Sequence, residues 1–339
     1  LVRITTDMTT CNEKSPRNIR GLDLFAGMGG SSWGAIAAGV HIVAAIDMWD
    51  LAKSTYQDNF PSVRCLSKRV EQVSPKVLQR EIGDIQVLIA SPECTSHSCA
   101  RGSLRPSEES QETAFQVNRF ARALEPRWII VENVINMRSW ARYNEWLDGL
   151  ASLGYNLAEV VLDASEFGVP QSRKRLFVLG DSERLPPSTI QARCNRAPTI
   201  QPLLDLDGKY GYSALVSDGR SISTLERAKR AIAVVGPSEP FLLVYYGSDG
   251  PGGWQSVNRP LRTITTVDRF AIVRPDHTGG HEMRMLQVPE LQRAMGFPAT
   301  FKMRHGSRRE KIRLLGNAVC PPVMCAVIKA VVGRDHDPT

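Results

Sequence analysis

The chain has 339 residues, 42% of them hydrophobic, with 42 Lys+Arg against 35 Asp+Glu and a formal net charge of +7. That length and apolar content suit one large globular domain or two modest ones, and no run of about 18 apolar residues offers a membrane span. Seven cysteines scattered without a framework point to a reducing compartment rather than a disulfide-built fold, and the basic balance is compatible with a polyanionic partner.

Residues 1–18 lack an apolar signal core and read as a flexible lead-in. Residues 19–25 read as a first strand, running into Ala26-Gly27-Met28-Gly29-Gly30 and then a helix over 31–38. A second strand over 41–46 ends at Asp47. Helical spacing follows over 51–59, a short third strand over 62–66, a helix around 77–81 and a fourth strand over 87–90. Next come a helix over 112–124, a fifth strand over 128–131, a helix over 144–153 and two closely spaced strands, 157–162 and 176–179. Strands alternating with helices predict an α/β fold with a mostly parallel sheet covered on both faces. Near Asp181 the character changes. Pro186-Pro187, Pro198 and Pro202 break regular structure, and up to about residue 307 the segments are short, irregular and rich in Arg and Gly. This part reads as a smaller second domain. The chain closes with a helical 311–315, a Gly316-Asn317 turn and an apolar helix over 323–332 that packs back on the first domain.

Five stretches carry chemistry. Cys94 follows the apolar run Val87-Leu88-Ile89-Ala90 and Pro92, which presents a thiol at the carboxyl end of a strand, where ligands bind in open α/β sheets. There a cysteine is a candidate nucleophile, although free cysteine is as often a small buried residue. The glycine-rich turn at 26–30 allows backbone to approach a ligand closely, and Asp47, 20 residues beyond Gly27, sits where a carboxylate accepts from ribose hydroxyls. These residues alone do not separate a dinucleotide from S-adenosylmethionine. Glu132 ends an apolar strand, where a carboxyl group is costly unless paired or functional and tends to hold its proton. In Gln171-Ser172-Arg173-Lys174-Arg175, alternation puts Arg173 and Arg175 on one face, bringing two guanidinium groups to one site or lining a solvated edge. Gly316-Asn317-Ala318-Val319-Cys320-Pro321-Pro322 is a turn leading into the last helix. Neither Cys94/Cys99 nor Cys320/Cys325 has zinc-site spacing, so no metal is expected.

Together and in this order, from about Arg20 to Val332, these stretches resemble the cytosine-5 DNA methyltransferase family. The resemblance implies a Rossmann-like S-adenosylmethionine-dependent methyltransferase sheet over 19–181, a smaller target-recognition domain over 182–305 and a returning segment over 306–333. It implies a cofactor site of Phe25, Gly27, Met28, Gly29, Gly30, Asp47, Met48, Pro92, Asn317 and Val319, holding S-adenosylmethionine and releasing S-adenosylhomocysteine. Cys94 matches the nucleophile, Glu132-Asn133-Val134 the catalytic glutamate segment, and Gln171–Arg175 the Gln-x-Arg-x-Arg element with Arg173 and Arg175 catalytic. Arg259-Pro260-Leu261-Arg262-Thr263-Ile264-Thr265 is similar to the segment following the recognition region. Ser98, Arg101, Gln171 and Arg259 are candidate DNA contacts, and the loop 96–110 a lid over a flipped-out base. The implied partners are double-stranded DNA and a cognate restriction endonuclease, with no membrane. The implied setting is a monomer on DNA in a bacterial or phage-infected cytoplasm. An RNA cytosine-5 methyltransferase, a catalytically silent DNA-binding relative and a nicotinamide dehydrogenase remain as alternatives.

The sequence departs from the family pattern at four places, one of them the Ser96-His97-Ser98 that follows the nucleophile. Glu93 stands where proline usually precedes the nucleophile, Thr95 where glutamine usually follows it, and Arg69 where an acid is expected near the adenine. A carboxylate beside the thiol opposes thiolate formation if it points inward, so Glu93 is expected to point away or toward the cofactor's cationic side.

Overall fold

The computed structural model describes residues 19–93, 112–246 and 252–333. In chain order the regular elements are β1 (Arg20–Leu24), α1 (Gly30–Ala37), β2 (His41–Asp47), α2 (Asp50–Asn59), β3 (Arg64–Ser67), α3 (Pro75–Ile82) and β4 (Val87–Ala90). They continue with α4 (Phe115–Leu124), β5 (Trp128–Asn133), α5 (Tyr143–Ala151), β6 (Asn156–Asp163) and β7 (Lys174–Asp181). A seven-stranded sheet has the order β3-β2-β1-β4-β5-β7-β6. Its first five strands run parallel, and β7 pairs antiparallel with both β5 and β6. The order reverses between β1 and β4, so their carboxyl ends open the crevice where this class of sheet binds ligands.

The strands are legible because both faces of the sheet are covered. All four residues of β4 and all six of β5 are buried. Alternate side chains feed two apolar clusters. Leu22, Leu24, Ile46, Leu88, Ile129 and Val131 pack under α3, α4 and α5, with Phe120 and Trp146 as the large inserts. Ile42, Ile89, Ile130 and Phe177 face the other way.

A second sheet follows, made of β8 (Ser213–Ala214), β9 (Phe241–Val244), β10 (Trp254–Ser256), β11 (Phe270–Pro275) and β12 (His281–Met285), in the order β10-β9-β11-β12-β8. The remaining helices are α6 (Ile222–Val235), α7 (Val288–Ala294), α8 (Arg308–Asn317) and α9 (Pro321–Val332). This corrects the expectation of short irregular segments throughout 182–307. Every pairing of this sheet is antiparallel. Its two faces have different neighbours. Phe241, Leu243, Ala271 and Val273 pack with Ala228 and Ala231 of α6. Leu242, Val244, Phe270 and Ile272 belong to the same apolar cluster as Phe167 and Phe177 of the first part of the chain and Met324 of α9.

Gly316-Asn317, expected as a turn, instead forms the last turn of α8. Gly316 is there because the chain needs room. A Cβ at this position would overlap the backbone of Thr265 and Thr266. The glycine thereby lets α8 touch the strand-like 259–266 segment that leads into β11.

A buried ion pair holds the outer part of the second sheet. Arg284 Nη2 lies 2.7 Å from Glu290 Oε1, with the two side chains 3% and 0% exposed. Glu290 also accepts from the backbone N–H of Asp205 at 2.9 Å and of Gln287 at 2.6 Å, which caps α7.

Candidate active site

At the carboxyl ends of β1 and β4 lies a cleft of about 380 Å³, within the usual range for a small-molecule site. One wall is the turn after β1. Phe25 has φ 56° and Gly27 φ 54°, so both occupy the left-handed region. For a bulky residue such as Phe25 that conformation costs on the order of 1–3 kcal/mol and is typical of a ligand-binding turn. A Cβ on Gly27 would meet nothing, so the open side of the cleft begins at the backbone itself. Asp47 at the end of β2 accepts from the N–H of Gly27 at 2.8 Å and of Trp49 at 2.9 Å. Each carboxylate oxygen can accept more than one bond, so Asp47 both fixes the turn and can take a hydroxyl donor. Burial raises its pKa against these two bonds, and the charge of Glu93 raises it further.

The sequence-derived cofactor residues divide into two groups. Phe25, Gly27, Met28, Asp47, Met48, Pro92, Asn317 and Val319 line the cleft. Gly29 and Gly30 are not among the residues that line it. A Cβ on Gly29 would overlap Phe60 and one on Gly30 would overlap the carbonyl of Val319. These glycines admit Tyr56 of α2, Phe60 just after it and the returning 318–320 segment to the start of α1. Sequence reasoning missed Trp49, with Arg313 4.8 Å above its ring, as well as Ser31, Ser91, Glu71, Thr113 and Arg313 itself as lining residues. Trp49 beside Asp47-Met48, Ser31 after Gly30 and Ser91 before Pro92 adjoin predicted residues, whereas Thr113 and Arg313 carried no local signal. The dimensions, the exposed glycine backbone and the carboxylate at the end of β2 fit S-adenosylmethionine.

The other end of the cleft gathers the expected catalytic groups. Glu132, 7% exposed, lies with its Oε1 3.2 Å from Nε of Arg175. Burial raises its pKa, and Arg175 and then Arg173 pull it back. Arg173 is near but otherwise engaged. Its guanidinium donates to the carbonyls of Ile264 at 2.9 Å, Gly316 at 2.7 Å and Ala318 at 3.1 Å. Arg175 is therefore the cation that faces Glu132, and Arg173 ties the 264–266 and 316–318 backbones beneath it. Asn133 Nδ2 donates to the carbonyl of Pro92 at 3.2 Å, anchoring the chain just before Cys94. Cys94, Ser98, Arg101 and the loop 96–110 lie outside the described residues.

Of the expected DNA contacts, Arg259 is exposed. Gln171 is not. It is wholly buried, its Nε2 donating to the carbonyl of Ala294 at 3.2 Å and its Oε1 accepting from the N–H of Ile264 at 2.8 Å. An amide so committed ties the turn before β7 to α7 and to the backbone at Ile264, and it offers nothing to solvent. The half-buried Tyr246 donates its hydroxyl to the carbonyl of Thr263 at 2.5 Å.

Beneath the glycine turn, Asp23 is wholly buried and accepts from Ser32 Oγ at 2.6 Å, and Ser32 Oγ lies 2.7 Å from the Tyr56 hydroxyl. Burial pushes the pKa of Asp23 up to about 7, against the hydrogen bond from Ser32. The unfolded chain releases this proton near pH 3.8, so between about pH 4 and 7 it binds fewer protons than the folded one. This group's contribution to stability therefore falls as pH rises through that window. Asp23→Asn is expected to flatten the decline. Urea midpoints measured from pH 4 to pH 8 check it, and an unchanged slope in the variant would refute it.

A family model for C-5 cytosine-specific DNA methylase matches residues 19–333. The type II methyltransferase M.HgiDI of Herpetosiphon aurantiacus is 31% identical over 306 residues, covering 88% of this chain and 89% of its own. M.AgeI of Thalassovita gelatinovora, also a type II methyltransferase, is 31% identical over 207 residues, 57% of this chain and 48% of its own. Among solved structures, a mutant of Spodoptera frugiperda DNMT2 superposes with a TM-score of 0.69 at 18% identity, over 92% of this chain and 99% of that one. S. pombe Dnmt2 methyltransferase gives 0.68 at 17%, over 94% and 100%. At those identities the likeness concerns the fold.

Proposed function

Because the chain belongs to the C-5 cytosine-specific DNA methylase family, we propose that it methylates carbon 5 of a flipped-out cytosine in duplex DNA through a covalent adduct of Cys94. S-adenosylmethionine, held between the 25–28 turn, Asp47 and the 317–319 segment, supplies the methyl group. Cytosine carbon 5 is a poor nucleophile. Attack of the Cys94 thiolate on carbon 6 makes an enamine and gives carbon 5 the electron density it lacks. Glu132, buried and inclined to keep its proton, holds ring nitrogen 3 and supports its protonation. Arg175 binds the ring carbonyl oxygen and stabilises negative charge that develops there. After transfer a base removes the carbon 5 proton and Cys94 leaves. A stacked base cannot reach such a pocket, so the cytosine must leave the helix.

The observation that carries this reading is the convergence of Glu132 and Arg175 at one end of the cleft, beside the Asn133–Pro92 bond that fixes the approach to Cys94. The unit 182–305 is assigned to target recognition, with Arg259 at its edge as a DNA contact. The type II names of the relatives favour a companion restriction endonuclease, and a monomer acting on DNA in the cytoplasm completes the proposal. A nicotinamide dehydrogenase leaves Glu132 and Arg175 without a use.

The test is transfer of labelled methyl from S-adenosylmethionine to duplex DNA, single-stranded DNA and RNA. Label on carbon 5 of cytosine in duplex DNA is expected, with none from Cys94→Ala. A preference for RNA would replace the polymer, and label retained in the alanine variant would remove the adduct.

A further inference from the structure

A buried carboxylate holds the turn from which Arg173 and Arg175 extend. Asp163, the last residue of β6, is 9% exposed, and no cation pairs with it among the described residues. A carboxylate so placed is costly unless hydrogen bonds satisfy it. Here four do. Its Oδ1 accepts from the backbone N–H of Ser165 at 3.1 Å, the hydroxyl of Ser165 at 2.9 Å and the backbone N–H of Arg173 at 3.0 Å. Its Oδ2 accepts from the hydroxyl of Ser172 at 2.8 Å. Two of these donors belong to the short 3-10 turn Ala164–Phe167, and two lie directly before β7. One side chain thus closes the connection between β6 and β7. In the register of that pair Asp163 faces Lys174 and Leu162 faces Arg175. The closure therefore sits one residue from the guanidinium that meets Glu132 at 3.2 Å. The other side of the turn is held by the segment before β11. Ser172 N–H donates to the carbonyl of Leu261 at 2.8 Å, and the Thr263 hydroxyl donates to that of Ser172 at 2.9 Å. Asp163 is the tie on the catalytic side. The charges of Arg173, Arg175, Glu132 and Asp163 all act on the buried thiol of Cys320, so the four groups gather about one point, directly after Val319 of the cleft.

We infer that Asp163 is a positioning residue for methyl transfer, which fixes Arg175 against Glu132 and the cytosine ring and so governs the rate of the chemical step rather than the hold on the donor. This rests on the proposed function. Arg175 stabilises charge on the ring oxygen only if its guanidinium meets that oxygen where the charge develops. A displacement of about 1 Å in such a group costs up to about a hundredfold in rate. Untying the start of β7 gives Arg175 that freedom. Arg173 differs, because three carbonyls hold its own side chain, two of them in the 316–318 segment. The donor site therefore keeps its wall when the carboxylate of Asp163 is lost.

The experiment compares Asp163→Ala, Asp163→Asn and Ser172→Ala with the parent, each as the full chain. The readouts are single-turnover methylation of duplex DNA at saturating donor and calorimetric titration with S-adenosylhomocysteine. Asp163→Ala is expected to lower the single-turnover rate about tenfold to a hundredfold, with affinity for S-adenosylhomocysteine within about twofold of the parent. Asp163→Asn keeps an acceptor oxygen for the Arg173 N–H and should recover most of the rate. The decisive comparison is a double-mutant cycle with Arg175→Gln. Because Asp163 acts through Arg175, Asp163→Ala should cost less than about threefold more once that guanidinium is gone. The full loss repeated in the Arg175→Gln background, equal losses of rate and affinity, or an undiminished rate overturns the inference, while activity of the parent leaves the methyltransferase reading intact. Should Asp163→Ala not fold, Ser172→Ala decides by the same two readouts, since it removes one bond of the four. A rate severalfold down at unchanged affinity supports the inference, and a parental rate overturns it. A folded parent that transfers no methyl group overturns both readings.

Discussion

Glu132→Gln is expected to lower the rate of methyl transfer by about two to four orders of magnitude while the protein stays folded. Glutamine matches the side chain in size and removes its ability to exchange a proton with ring nitrogen 3. The effect should fall on the single-turnover rate more than on DNA affinity, since the group acts on the base only once it is in the pocket. Arg175→Gln should also be slow, for a different reason. It takes away the cation paired with Glu132, whose pKa burial already raises, and removes the proposed donor to the ring carbonyl. Arg173 should separate from both. Its guanidinium serves three backbone carbonyls, so Arg173→Gln should lower stability along with activity. Single-turnover methylation beside thermal melts of all three variants decides this. A Glu132→Gln protein that methylates within a few-fold of the parent would remove Glu132 from the chemistry.

Glu290→Ala is expected to cost about 3–5 kcal/mol of folding free energy, among the largest effects of any single change outside the cleft. The substitution strands the guanidinium of Arg284, 3% exposed, without its carboxylate, and leaves the N–H groups of Asp205 and Gln287 without their acceptor. Glu290→Gln keeps an acceptor oxygen and should lose less. Urea unfolding gives the figure, and a loss of under about 1 kcal/mol would show that the site relaxes or admits water.

The central sheet was readable because its strands are buried on both faces and appear as short apolar runs between turn residues. Val87-Leu88-Ile89-Ala90 is such a run. Phe241-Leu242-Leu243-Val244 is another, equally buried, yet it lay among prolines and arginines in a region read as irregular. Its partner β11 comes from about 30 residues further along, beyond β10, so no local signal joins those two strands. Of the site, the residues whose chemistry is unusual for their position could be picked out. Asp47 and Glu132 are carboxyl groups at the ends of apolar strands. Roles set by close approach could not. Gly316 looked like punctuation and is a clearance for Thr265. Gln171 sat in a polar run and is a buried amide satisfied by backbone. Asn133 gave no hint that it would grip the carbonyl of Pro92. Such roles depend on segments far apart in the chain, and no local period encodes them.

The second sheet has one face in the common core and the other under α6. With 182–305 as the proposed target-recognition unit, that division bears on how a new sequence preference would be transplanted into this scaffold. Cutting near residues 182 and 305 and inserting the equivalent piece of another enzyme would separate Leu242, Val244, Phe270 and Ile272 from the side chains they interdigitate with, at about 1.5–3 kcal/mol for each large group exposed. A chimaera with better prospects keeps the inward positions of β9 and β11 as they stand. It exchanges only α6 with the outward residues beneath it, so that the donor brings its own lid for the outer layer and the host retains its floor.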